Sequence, residues 1–223
     1  MEWLKSFYYR VKDWTHRPQE KGLPSAGYWQ SKVRDTALGL CVSCRGRLLE
    51  IGCGEGLFLS AMTSRHPALE IWGVDRSQEQ LALSDRTFRA QKVASCRLEK
   101  AEASALPFQD AYFNTVVSIN FLLCLKSSQE VRRVLSEVAR VLAPGGRLIL
   151  EIRNKNNLFL KIKYGLARYY DGTLKDNPLT LYDPTWIERI LGDAGLEVTG
   201  RIYLDFFIKR YAPIVIFEAK KHA

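Results

Sequence analysis

The sequence predicts an α/β protein built on a doubly wound, mostly parallel β-sheet. Between residues 46 and 153, apolar runs of strand length alternate with helical patterns that begin at capping residues, an order typical of a parallel sheet with helices on both faces. Two further apolar runs, residues 197–206 and 212–220, predict an antiparallel pair that closes the sheet. With 223 residues, the chain is long enough to bury a sizeable core.

Residues 1–45 predict a helical cap in front of the main domain, residues 46–223. Apolar residues recur at helical spacing between Trp3 and Trp14, which predicts an amphipathic helix that packs on the main domain. Contact of this helix with a membrane surface is the alternative. A linker containing prolines and a glycine, residues 18–24, leads to a second helix that runs from Gly27 to about Leu40.

The main domain is organised around residues 48–56, an apolar run that breaks into three alternating glycines. This pattern predicts a buried strand, a tight turn and a helix whose first N–H groups point at a ligand. Glycine is needed because side chains would keep a ligand away from the backbone. Asp75 ends the next apolar run, about 20 residues further on, where a carboxylate can accept both hydroxyls of a ribose.

The spacing of the glycines distinguishes two classes of cofactor. A dinucleotide-binding turn has the pattern G-x-G-x-x-G, but here the third glycine comes one residue early and Glu50 lies two residues before the first. A carboxylate at this position would repel a pyrophosphate, whereas it suits a cofactor with an ammonium and a sulfonium group. The turn therefore resembles the first motif, E/D-x-G-x-G-x-G, of class I S-adenosylmethionine (SAM)-dependent methyltransferases.

Two further segments resemble the same family. Residues 101–110 match the signature in which an acidic loop before L-P-F passes the adenine, although Lys100 stands where the family often has Asp. The L-x-P-G-G run that ends at Gly146, between a helix and a strand, is the third match. The resemblance implies SAM as cofactor, a Rossmann-like methyltransferase fold, and the closing antiparallel pair as strands six and seven of the sheet.

The cofactor residues that the resemblance implies come from the glycine turn, the strand ends and the second helix. They are Glu50, Gly52, Cys53, Gly54, Gly56, Asp75, Arg76, Ala101, Glu102 and Asn120, with Trp29 and Arg34 from the helix. Packing in the core explains Trp29 nearly as well. The cysteines Cys41 and Cys44 lack the two further ligands of a zinc site, so we expect no metal.

Capping residues and apolar stripes predict the other elements. The caps are Ser77, Ser127 and Asp183. The helices run from these caps to about Ala90, to the Pro144-Gly145-Gly146 stop and to Gly195. The remaining strands are residues 94–99, 113–120 and 147–152.

We expect the acceptor to bind at a lid insertion, residues 153–182, which leaves the carboxyl end of a central strand. Its apolar residues recur at helical spacing, its basic residues outnumber its acidic ones, and Arg153, Tyr164 and Tyr169 are the candidate substrate residues. Such a helix suits an apolar acceptor with an anionic group, a lipid surface or a nucleic-acid backbone. It also suits a solvated lid whose charges only aid solubility.

The sequence thus predicts an enzyme that methylates an O, N or C nucleophile of a small-molecule or lipid-like acceptor. The alternatives are an RNA or protein methyltransferase and a SAM-binding sensor or partner subunit without turnover. The net charge of +9 admits nucleic acid, a membrane surface or an acidic metabolite. The segment Asn120-Phe121-Leu122-Leu123, however, lacks the two prolines and the aromatic residue of the N/D/S-P-P-Y/F/W tetrad typical of nucleobase amine methylation. No catalytic residue is assigned, and since Met1-Glu2-Trp3 does not begin a secretory signal, we expect a cytoplasmic location.

Overall fold

A computed structural model describes residues 27–93, 96–170, 179–204 and 206–222, apart from the side chains of residues 167–170. In these ranges seven strands form one sheet: β1 (Arg47–Ile51), β2 (Glu70–Asp75), β3 (Cys96–Lys100), β4 (Phe113–Ser118), β5 (Leu142–Arg153), β6 (Leu196–Leu204) and β7 (Ile214–Lys221). The helices are α1 (Tyr28–Leu40), α2 (Leu57–Arg65), α3 (Gln78–Ala90), α4 (Ser128–Val141), α5 (Leu158–Tyr170) and α6 (Pro184–Asp193). None of the described helices is long and apolar enough to cross a bilayer.

The strand order is β3-β2-β1-β4-β5-β7-β6, which confirms the predicted fold class. Strands β1 to β5 are parallel, and β7 pairs antiparallel with both β5 and β6. After β1 the chain builds outward to β3, and then returns to place β4 on the other side of β1. This reversal opens a crevice at the carboxyl ends of β1 and β4, where open α/β sheets bind their ligands.

Two apolar layers hold the helices against the sheet. Helices α4 and α6 cover one face, where Val131, Val134 and Leu135 of α4 are buried. Helices α1, α2 and α3 cover the other face, with Met62 of α2 fully buried. Leu48 of β1 is buried as well, as is typical of a central parallel strand covered on both faces.

The predicted caps form and begin their helices. Ser77 Oγ accepts a hydrogen bond from Gln80 N–H at 3.3 Å, and Ser127 Oγ accepts one from Glu130 N–H at 3.1 Å. Asp183 accepts from Thr185 N–H at 2.9 Å. These side chains satisfy N–H groups that the first helical turn leaves without partners.

The boundary between α4 and β5 differs from the prediction. The helix ends at Val141, and Leu142 has extended backbone torsions (φ −71°, ψ 133°) and pairs with Phe113 of β4. The pairing resumes only at Arg147, so residues 143–146 form a bulge inside β5 rather than a stop before it. Leu142 continues the apolar stripe of the helix, and only pairing with β4 assigns it to the strand.

The predicted helix between Trp3 and Trp14 lies outside the described residues. Within the insertion, α5 forms as its spacing predicts, and residues 171–178 lie outside the description. After that gap, Tyr182 N–H donates to the carbonyl oxygen of Arg153 at 2.8 Å. The insertion therefore leaves and rejoins the sheet at the carboxyl end of β5.

Candidate functional site

A cavity of about 410 Å³ lies at the carboxyl ends of β1, β2 and β4. Its wall comes from the glycine turn, the loop after β2, residues 101–104, and the segment from the end of β4 to α4. Of the predicted cofactor residues, Arg34, Glu50, Gly52, Cys53, Gly54, Asp75, Arg76, Ala101, Glu102 and Asn120 line it. The topology thus brings together residues that are up to 86 positions apart, Arg34 and Asn120.

The glycine turn is held against the end of β2. The N–H groups of Gly52 and Cys53 both donate to the carbonyl oxygen of Val74, at 2.8 and 3.0 Å. Gly54 N–H donates to Asp75 Oδ2 at 3.0 Å, and its carbonyl oxygen accepts from Ser84 Oγ at 2.5 Å. These bonds set the distance between the turn and the carboxylate that ends β2.

Gly54 and Gly56 lack side chains for different reasons. Both have positive φ, 51° and 71°. A Cβ on Gly54 would meet only Gln80 Oε1, at 3.7 Å, so the space beside it belongs to the cavity. A Cβ on Gly56 would come within 2.8 Å of Phe88 Cε1, and Gly56 is not among the residues that line the cavity. Gly56 therefore serves the packing of α2 on α3, and its contact with the cofactor stays a prediction.

Asp75 lines the cavity with a carboxylate that is already oriented. Its Oδ2 accepts from Gly54 N–H, and its Oδ1 accepts from Ser77 N–H at 2.9 Å. An ionised carboxylate offers about four lone-pair positions, so two remain for a ligand. The same backbone bonds fix the direction in which those positions point.

Glu50 is a buried carboxylate beside this turn, with 3% of its surface exposed. Its Oε2 has no hydrogen-bond partner among the described residues. Burial raises the pKa of Glu50 well above its ordinary value; the nearby Arg34 guanidinium opposes this shift, and Asp75 adds to it. A buried carboxylate oxygen without a partner costs free energy, which a cationic ligand would offset.

The loop after β3 reaches the cavity through the predicted adenine segment. Ala101 N–H donates to the carbonyl oxygen of Asp75 at 3.1 Å, which ties this loop to β2. Ala101 and Glu102 line the cavity, while the neighbouring Lys100 ends β3 and is exposed. The segment thus lies next to Asp75, although Lys100 stands where the family often has Asp.

Asn120 is held in a strained conformation at the far side of the cavity. Its φ is 53°, which is uncommon for a residue with a side chain and costs about 1–3 kcal/mol. Its N–H donates to Glu151 Oε2 at 2.8 Å, and its Oδ1 accepts from Arg153 Nη2 at 2.7 Å. Glu151 and Arg153 are both buried and form an ion pair at 3.1 Å. The hydrogen bonds with this pair hold Asn120 in its position in the cavity wall.

Arg153 was predicted to contact the substrate, and its observed surroundings differ. It is 4% exposed, lies outside the cavity wall, forms an ion pair with Glu151 and donates a hydrogen bond to Asn120 Oδ1. The physical reason is that a guanidinium at the end of a buried strand needs a buried carboxylate, and β5 provides one two residues earlier. A contact of Arg153 with the substrate stays a prediction. The sequence signal for this arrangement was Glu151 itself, a charged residue within an otherwise apolar strand.

For three other predicted residues, the described part of the chain shows no contact with the cavity. Trp29 packs against the α1–α3 core layer and makes an edge-to-face contact with Tyr28 at 5.4 Å, which favours its packing role. Tyr164 is on α5 and partly buried, and the side chain of Tyr169 lies outside the described residues. For these tyrosines a contact with substrate stays a prediction.

The cavity also contains residues that the sequence did not indicate as site residues. Phe121, Cys124, Leu125, Glu130 and Val134 form one wall, from the end of β4 to α4. Glu130 was interpreted only as part of a capping box, and Val134 only as part of a core stripe. Their part in the wall depends on how α4 packs across β4, which no local pattern reveals.

Comparison with known proteins gives related sequences. Residues 48–146 match a family model described as a methyltransferase domain. Over 157 residues the chain is 33% identical to phosphatidylethanolamine N-methyltransferase of Cereibacter sphaeroides, which covers 69% of this chain and 71% of that protein. It is 32% identical over 123 residues to demethylmenaquinone methyltransferase of Thermus thermophilus, covering 55% of this chain and 52% of the relative, so it spans about half of that protein's length.

The fold also matches a solved structure. A crystal structure of a SAM-dependent methyltransferase from Methanosarcina mazei superposes with a TM-score of 0.65 at 22% identity, covering 79% of this chain and 92% of that chain. The cavity and its glycine turn lie within the region that the family model matches, apart from Arg34. By this sequence relationship and this fold, the chain belongs to the class I SAM-dependent methyltransferase family.

Proposed function

We propose that this chain transfers the methyl group of SAM to an O, N or C nucleophile of a small-molecule or lipid-like acceptor. The observation that supports it most is the buried, unpartnered Oε2 of Glu50 beside the open space at Gly54. SAM carries two positive charges and a ribose diol, and the cavity offers Glu50 for charge and Asp75 for hydroxyls. The residues present therefore fit this cofactor.

In this proposal the chain mainly binds and orients. SAM supplies an electrophilic methyl on a good leaving group, so holding the acceptor in line with it supplies much of the rate, about 7–11 kcal/mol of the barrier. Glu50 stabilises the cationic end, Asp75 accepts from the ribose, and Gly54 lets the ligand lie against the backbone. Asn120, held by Glu151 and Arg153, borders the same space.

The wall from Phe121 to Val134 is the proposed acceptor side, because its side chains are mostly apolar. Among the described residues that line the cavity there is no histidine, lysine or tyrosine. Cys124 is exposed on this wall, and desolvation raises the pKa of its thiol above the ordinary value, so we do not propose it as a nucleophile. Glu130 is the carboxylate on this wall. We propose that it acts as the general base when the nucleophile of the acceptor must lose a proton.

Two relatives support an acceptor of lipid character. One is named for phosphatidylethanolamine and the other for demethylmenaquinone, and both of these compounds are lipid-soluble. The apolar wall of the cavity is consistent with that class. The RNA, protein and sensor alternatives remain as outcomes of the experiment that follows.

The experiment is methyl transfer from labelled SAM into a fractionated cell extract. We expect label in the organic-soluble fraction with the wild-type chain and none with Gly54→Val, whose side chain would fill the ligand space. Label found only in RNA or only in protein would show that the acceptor is that macromolecule and not a small-molecule or lipid-like compound. SAM binding without product in any fraction would favour the sensor.

A further inference from the structure

The described residues include a surface with many exposed apolar side chains, which we call the apolar ridge. It consists of Leu158, Phe159, Ile162 and Leu166 on α5 and Phe206, Phe207, Ile208 and Tyr211 in the β6–β7 turn. Leu158, Ile162 and Leu166 recur every four residues and share one face of the helix. Phe207 is 105% exposed, so its whole ring projects into solvent. A group of exposed apolar side chains of this kind marks an interaction site.

Two asparagines join the halves of the ridge. Asn154 Nδ2 donates to the carbonyl oxygens of Arg210 and Ala212, at 2.9 and 2.8 Å. Asn157 Nδ2 donates to the carbonyl oxygen of Tyr211 at 2.7 Å, and its Oδ1 accepts from Leu160 N–H at 2.7 Å, at the start of α5. Asn154 and Asn157 are buried, so these bonds fix the turn beside the helix.

The charges of the ridge have one sign. Residues 154–166 and 206–211 contain five basic residues, Lys155, Lys161, Lys163, Lys209 and Arg210, and no aspartate or glutamate. Four of them, all except Lys163, are exposed. Asp205 precedes the turn in the sequence. The ridge is therefore complementary to an anionic surface.

The ridge lies on the same edge of the sheet as the cavity. Arg153 at the end of β5 pairs with Ile214 at the start of β7, so α5 and the β6–β7 turn both extend from the carboxyl end of β5. The cavity is at the carboxyl ends of the neighbouring strands. A flat surface that contacts the ridge would thus face the edge of the sheet at which the cavity lies.

We propose that the apolar ridge docks this chain on an anionic lipid bilayer. Its aromatic and aliphatic side chains insert at the boundary between headgroups and acyl chains, and its basic side chains contact lipid phosphates. A protein partner is disfavoured because the cores of protein interfaces are depleted in lysine, and lysines are interspersed in this ridge. Docking is independent of SAM binding, and it rests on the proposed function only in delivering a lipid-like acceptor to the cavity.

The test is co-sedimentation of the full chain with two kinds of vesicle. One kind is phosphatidylcholine alone, and the other contains about a third phosphatidylglycerol. We expect binding to the anionic vesicles that weakens as salt rises, because part of it is electrostatic. Lys161→Gln with Lys209→Gln should weaken it about thirtyfold, since each basic residue near an anionic surface contributes about a fivefold effect. Phe207→Ser should weaken it tenfold or more.

Matched variants separate docking from general charge and hydrophobicity. Arg86→Gln with Arg89→Gln removes two exposed charges on α3, and Val42→Ser removes an exposed apolar side chain elsewhere. We expect both controls to bind vesicles like the wild type. All of the variants change exposed side chains, and an unaltered circular dichroism melt confirms that each one folds.

Three results would overturn the proposal. They are equal binding by wild type and Phe207→Ser, no sedimentation with anionic vesicles, and loss of a dimer rather than of vesicle binding in the ridge variants. SAM titration of the same samples keeps the two proposals apart. A wild-type chain that binds vesicles but not SAM would contradict the proposed function and leave the docking surface standing.

Discussion

Two glycines of the same turn should respond to substitution in opposite ways. Gly54→Ala adds a methyl group with no atom nearer than Gln80 Oε1 at 3.7 Å, so its cost to the fold is the strain of positive φ, about 1–2 kcal/mol. Gly56→Ala has the same strain and also brings its methyl within 2.8 Å of Phe88, where overpacking adds about 1–3 kcal/mol. We expect Gly54→Ala to lose SAM affinity by tenfold or more, and Gly56→Ala to lose mainly stability.

Urea unfolding and calorimetric titration of SAM measure the two effects separately. Gly56→Ala should unfold at clearly lower urea than Gly54→Ala and still bind SAM wherever it is folded. The interpretation of the turn would be refuted if Gly54→Ala bound SAM like the wild type. It would also be refuted if Gly56→Ala proved the more stable of the two.

Three further predictions concern the carboxylates and their partners. Asp75→Asn keeps the shape of the side chain but should lower SAM affinity by tenfold or more in calorimetry, because hydrogen bonds to a charged group contribute about 1.5–3 kcal/mol each. An unchanged affinity would show that Asp75 does not bind the ribose. Because the pKa of Glu50 is higher in the folded state than in the unfolded chain, protonation of Glu50 stabilises the apo fold. This contribution is fully present at pH values below the ordinary carboxyl pKa, and it is lost as the pH rises through the pKa of the folded state. Glu50→Gln should therefore raise the melting temperature of the apo protein more at pH 8 than at pH 5, and it should weaken SAM binding. An equal effect on the melting temperature at both pH values would contradict the burial argument. Arg153→Gln should cost about 3–5 kcal/mol in urea unfolding because it leaves Glu151 buried without a partner, and a second change, Glu151→Gln, should recover much of that loss.

That the glycine turn, Asp75 and residues 101–102 line one cavity could be predicted because they lie in short continuous motifs. The glycine turn, Asp75 and residues 101–102 are each read from a few neighbouring positions, and the sheet then brings them together. The same local reasoning predicted the helix caps. Its limit within the turn is Gly56, since packing against Phe88 is a contact between two helices that the spacing of glycines does not reveal.

The wall from Phe121 to Val134 and the surroundings of the insertion depend on contacts between distant segments, which the sequence does not reveal. Arg153 was a candidate substrate residue among the basic residues of the insertion, and in the structure it is buried beside Glu151 and Asn120. Helical spacing indicated an apolar face on α5, and in the structure that face is exposed instead of packed. Whether the insertion closes as a lid, and whether Tyr164 touches the acceptor, stay predictions.

The central claim is that the cavity between Glu50 and Asp75 holds SAM, and a calorimetric titration tests it most directly. The purified chain should bind one molecule of SAM, with an affinity that rises as pH increases through the raised pKa of Glu50. NAD should bind more weakly, because the buried carboxylate repels its pyrophosphate. Absence of SAM binding, or tighter binding of NAD than of SAM, would contradict the account.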